Sequence, residues 1–125
     1  MRFISVLTHH PKNRLPTEAE MSAMHQLIVE GMKAGWLLEC EGVHFGTQGV
    51  RVHKAADGQV TVTDGPFAET NEVLGGYALL NAPSLREAVE HTRRFLDQVG
   101  QEAVEGTWEG TWETYQLFEM PTEER

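Results

Sequence analysis

The sequence predicts an α+β fold in which two helices cover a single face of one sheet. Two segments, beginning at Thr17 and Ser84, carry apolar residues at helical spacing between a capping pattern and a glycine stop. Short apolar segments stand before and after each of them and read as strands. Between the two halves, the pattern switches to a period of two across a turn sequence.

Phe3 to Leu7 reads as the opening strand, and the polar run from Thr8 to Asn13, with Pro11, stops it. The first helix begins after Pro16. Thr17 and Glu20 form a capping-box pattern, in which each side chain takes an orphan amide of the first turn. Met21, Met24, Ile28 and Met32 follow at helical spacing as an apolar, core-facing stripe. Gly35 ends the helix, since glycine takes the left-handed cap without steric cost. Trp36 to Cys40 reads as the second strand.

Val50 and Val52 alternate with Arg51 and His53, and Val60 and Val62 with Thr61 and Thr63, around the turn Ala55-Ala56-Asp57-Gly58. This is a hairpin with one polar face. Asp64 to Glu72 reads as a loop and Leu74 to Leu80 as a strand. Ser84 and Glu87 repeat the capping pattern. Leu85, Ala88, Val89, Thr92, Phe95, Leu96 and Val99 then trace one helix face, which Gly100 ends. Arg93 and Arg94 fall on its solvated side. Thr114 to Met120 reads as the last strand, and Pro121 onward as a polar tail, so residues 1–120 form one domain.

Two strand–helix–strand halves joined through a hairpin describe a ferredoxin-like βαβ-hairpin-βαβ sandwich. Its helices leave one sheet face uncovered. A second copy is the simplest cover, so a homodimer closing through the sheets is expected.

The chain has 125 residues, 40% of them hydrophobic, which supports a packed core without cross-links. Cys40 is the single cysteine and lies beside Trp36, Leu37 and Leu38, so it reads as a buried structural thiol in a cytoplasmic protein. A net charge of −9 argues against a nucleic-acid partner, which clustered lysine and arginine would serve. No segment has the roughly 18 apolar residues of a membrane helix.

The most distinctive segment is Asp64-Gly65-Pro66-Phe67-Ala68-Glu69-Thr70. Pro66 fixes its own φ and restrains Gly65, while Asp64 can bond amides further along the turn. The loop is stiff and sets two carboxylates, Asp64 and Glu69, beside the Phe67 ring. Rigid polar groups beside an apolar ring suit a small-ligand site. Asp64, Gly65, Pro66, Phe67, Glu69 and Thr70 are therefore the expected ligand-binding residues.

With this motif, and with Ala34-Gly35, Glu41-Gly42, Arg51-Val52 and Gly75-Gly76-Tyr77 around it, the sequence resembles the YCII-related family over roughly residues 1 to 98. The likeness is to the branch named for Asp-Gly-Pro-Phe. It implies a dimeric ferredoxin-like α+β barrel and distant kinship to muconolactone isomerase and chloromuconolactone dehalogenase. Some relatives accompany extracytoplasmic-function sigma factors, which implies a regulatory partner as the alternative to an enzyme. YCII-type proteins carry a helix histidine proposed to pair with an aspartate. Counting back from Gly35, that position falls on Met24, and His25 beside it points about 100° away.

Two kinds of chemistry fit. One is proton transfer on a small carbonyl or lactone, with His9, His10 or His25 as acid or base and Asp64 orienting the imidazole or acting as base itself. The other is a ligand sensor or adaptor that binds in the same pocket without turnover. His9-His10 also reads as a solvated turn, and His25 as a partly buried polar residue on the helix flank. His9, His10, His44 and His53 show no recognised metal-ligand spacing, and adjacent histidines on a strand face opposite ways, so neither a metal nor a cofactor is expected. No phosphate-binding glycine loop precedes a helix. The repeat Glu105-Gly106-Thr107-Trp108-Glu109, Glu109-Gly110-Thr111-Trp112-Glu113 places two indoles where they cover the end of the core or meet a ligand or partner.

Overall fold

The computed structural model describes residues 1–10, 13–43, 49–65, 73–98 and 108–119. The order is β1 (Arg2–His9), α1 (Glu18–Ala34), β2 (Leu37–Gly42), β3 (Val50–Lys54), β4 (Val60–Asp64), β5 (Val73–Asn81), α2 (Leu85–Leu96) and β6 (Gly110–Gln116). Four strands form one antiparallel sheet in the order β2-β5-β1-β6. This is the ferredoxin-like arrangement, with the β3–β4 hairpin inserted as a separate two-stranded sheet.

Both helices start where the capping residues place them. Thr17 accepts from the Glu20 amide and the Glu20 carboxylate accepts from the Thr17 amide, closing the full box. At Ser84 the side chain accepts from the Glu87 amide at 3.2 Å. Gly35 takes the left-handed cap, with φ 87°. The second helix ends on Asp97, and Gly100 lies outside the described residues.

The core lies between the helices and one sheet face, around Phe3, Leu27, Leu37, Ala78, Leu80, Ala82, Ala88 and Phe95. On α1 the inward stripe is Glu20, Leu27 and Gly31, flanked by Met24 and Ile28. Met21 and Met32 are exposed, which corrects the expected stripe. Trp36 packs against Gly31, where a Cβ would stand 2.7 Å from the indole. Trp36 also stacks on His91, with ring centroids 4.3 Å apart.

A hydroxyl relay joins sheet and helix. Thr92 donates its one proton to the Ala88 carbonyl at 2.9 Å, so it accepts from Ser5 Oγ at 2.8 Å. With its proton spent, Ser5 accepts from Thr114 Oγ1 at 2.7 Å. Ser5 is therefore fully buried at little cost.

The opposite sheet face presents Ile4, Val6 and Thr8 on β1, Tyr77 and Leu79 on β5, Glu39 and Glu41 on β2, and Thr111, Glu113 and Tyr115 on β6. The tyrosine hydroxyls donate to the acids, Tyr77 to Glu39 and Tyr115 to Glu113. Every residue of β3 and β4 is exposed, on the valine side as well as the polar side. No described helix is long and apolar enough to cross a membrane. The expected tail from Pro121 lies outside the described residues.

Candidate functional site

At one end of the helix-side layer the strands run out on glycines: Gly42 on β2, Gly75 and Gly76 on β5, and Gly110 on β6. His9 closes over Gly75 and Trp108 over Gly110, while the space beside Gly42 stays open. A cavity of about 280 Å³ lies there, walled chiefly by Leu7, His9, Met24, Phe95, Trp108 and Trp112, with Asn13, Arg14, Gly42 and Gly75 completing it. The apolar lining with a few polar groups is the usual make-up of a small-molecule pocket.

His9 is fixed from three sides. It lies on the helix-facing row of β1 and is 5% exposed. Its ring sits over Gly75, where a Cβ would stand 2.5 Å from Cδ2. Gly75 is the extra residue of a β-bulge, since Leu7 pairs with Gly76 and Thr8 with Leu74. His9 Nδ1 donates to the His10 carbonyl, which can only accept, at 3.1 Å.

Arg14 reaches the wall with its fork held by Glu20, at 2.7 and 2.9 Å. Glu20 is itself buried and serves the helix cap, so one carboxylate anchors both the helix start and the guanidinium. Asn13 fixes the opposite rim. Its side-chain amide donates to the Glu109 carbonyl at 2.8 Å, and its oxygen accepts from the Glu109 amide at 2.9 Å. That pair holds Trp108 at the cavity, against Gly110, while Trp112 packs 5.4 Å from Phe95.

Asp64 is exposed at the end of β4 and Gly65 donates its amide to Gly49 at 2.8 Å; neither lines the cavity. Pro66, Phe67, Glu69 and Thr70 lie outside the described residues. His25 is exposed on α1, whereas its neighbour Met24 lines the cavity, as their angular offset requires. His10 is half-buried and touches the site through its backbone carbonyl. Cys40 packs against the core, and burial, reinforced by Glu41, pushes its thiol up to about 11. Among the described residues no three His, Cys, Asp or Glu side chains converge on a metal position, and His44 lies outside them.

Arg14, Asn13 and Phe95 were not singled out from sequence as site residues. Arg14 six positions before a capping glutamate was the available signal; Asn13 has none, because its partner is 96 residues away.

A family model for the YCII-related domain matches residues 1–120. The chain belongs to that family. No curated protein matches it. YCII-related membership agrees with the sheet order and with the residues that carry the resemblance in the sequence.

Proposed function

We propose that this YCII-related protein, of the Asp-Gly-Pro-Phe branch, binds a small organic molecule at the glycine-lined cavity and acts on it by proton transfer. The ligand is a compact carbonyl compound or lactone with an apolar or aromatic body. The observation that carries the reading is a cavity with an aromatic wall and His9 set into it. The His9 ring is held through Nδ1 by the His10 carbonyl and its Nε2 is buried, so a proton exchanged there is shielded from bulk water. The motif loop leads directly into β5 at Val73, which is the register partner of His9. The uncovered sheet face supports a homodimer.

The test is a thermal-shift screen of the full chain against lactones, keto acids and small aromatic acids, followed by turnover assays on each binding class. A ligand at about a hundred times its dissociation constant adds roughly 2.7 kcal/mol of stability. Binding that is lost in His9→Gln, with turnover in the wild type, is the expected result. Binding without turnover assigns a sensor instead, and no binding by the folded protein overturns the site.

A further inference from the structure

The β3–β4 hairpin carries a face that nothing among the described residues covers. Register puts Val50, Val52, Lys54, Val60, Val62 and Asp64 on one side and Arg51, His53, Thr61 and Thr63 on the other. The four valines are 57–66% exposed. A two-stranded hairpin is marginal in water by itself. This one is closed at its tip by Gly58, with φ 93°, and by the Ala55–Gln59 bond of 2.7 Å, and at its base by the Gly65–Gly49 bond. Those bonds fix its shape and leave its valines in solvent.

The same chain has a second uncovered surface of matching character. On the open sheet face Ile4, Val6 and Leu79 form an apolar strip between acidic rims, with Glu39 and Glu41 on β2 and Glu113 on β6. The hairpin face offers valines in the middle, a cation, Lys54, toward the tip, and an acid, Asp64, at the base, so its positive end is the tip. Size matters too. Four strands of about seven residues present roughly 450 Å² in projection. An ordinary stable interface takes about 800 Å² of accessible surface from each partner, so each open apolar face adds to what a dimer can bury. The valine face of two five-residue strands adds roughly 160 Å².

The geometry points to the hairpin as a dimer arm, its valine face closing on the open sheet face of a second copy of this chain, with Lys54 meeting the acidic rim. Two arms exchanged this way make a self-complementary, closed interface. The inference rests on the homodimer stated above and adds which segment completes it.

The test is the dimer dissociation constant of the full chain by sedimentation equilibrium, for wild type, for the double variant Val52→Thr with Val62→Thr, and for Val6→Thr. Threonine keeps the β-branched shape, so the hairpin and sheet are retained, and circular dichroism checks that. Both variants are expected to dissociate at least tenfold more readily. An effect of Val6→Thr alone overturns the arm and leaves the sheet dimer standing. An effect of the arm variant alone overturns the docking face. A monomeric wild type, or two silent variants, overturns both.

Discussion

Alanine at Gly75 tests the placement of His9. The added Cβ falls 2.5 Å from His9 Cδ2, 3.1 Å from Nε2 and 3.1 Å from Leu7 Cδ2. Carbon atoms pack best at about 3.5–4.0 Å, so the overlap with the ring is roughly one ångström. The ring cannot swing aside freely, because it is 5% exposed and tied to the His10 carbonyl. Gly75 has no left-handed φ, so the substitution acts through space rather than backbone strain. Overpacking costs about 1–3 kcal/mol, and the stiffer unfolded chain returns about 0.4–1. The net loss is about 1–2 kcal/mol, read by urea denaturation. In a His9→Ala background the ring is gone and only Leu7 remains close, so the same change is expected to be nearly neutral. A coupling of about 1 kcal/mol between the two sites follows. Equal costs of Gly75→Ala in both backgrounds would refute the packing of His9 on the bulge.

Ser5→Ala breaks the middle of the hydroxyl relay. Thr92 keeps the Ala88 carbonyl but Thr114 loses its acceptor, and a loss of about 1–2 kcal/mol in urea denaturation is expected. Cys40, raised from 9.0 to about 11, should react with iodoacetamide at pH 8 roughly a hundredfold more slowly in the native protein than in urea. Its raised thiol also means that the folded state holds its proton longer, so stability contributed below pH 9 is lost as pH climbs toward 11. His91 is lowered from 6.5 by burial and then by Arg94, against the pull of Glu87, so the unfolded chain binds the proton more readily. Stability is full above pH 6.5 and falls as pH drops below it, and His91→Phe, which keeps a ring on Trp36, should flatten the melting temperature between pH 7.5 and 5.5.

The elements legible in the sequence were those specified locally. Thr17, Glu20 and Gly35 set the ends of α1 through bonds spanning a few residues, and the alternating valines fixed the hairpin register. What was misjudged depended on distant partners. The capping box is visible at Glu20, but its burial is not, because it depends on Arg14 satisfying the carboxylate alongside the Thr17 amide. The last strand begins at Gly110 rather than Thr114, because Gly110 pairs with His9 across the chain while its local sequence reads as a connector. The site was harder still. The motif loop is read from local sequence and lies mostly outside the described residues, whereas the cavity is assembled from aromatic rings far apart in sequence, with volume left open at Gly42. The repeat containing Trp108 and Trp112 was the visible trace of it.

Missing volume can be filled, which separates a cavity made for a ligand from a gap left by imperfect packing. Gly42 lines the cavity, and a Cβ there meets nothing within 4 Å. Its φ is not in the left-handed region, so a larger side chain meets no backbone penalty. Gly42→Leu therefore places apolar bulk in the space without the clash that Gly75→Ala creates at the facing wall. A strand gains from losing a glycine, so stability should hold or rise slightly. Any ligand found in the screen should bind at least tenfold more weakly. Retained stability with lost binding ties the ligand to this cavity. Binding unchanged in a variant shown to be folded would place the ligand elsewhere, and the reading of His9 as its partner would fall with it.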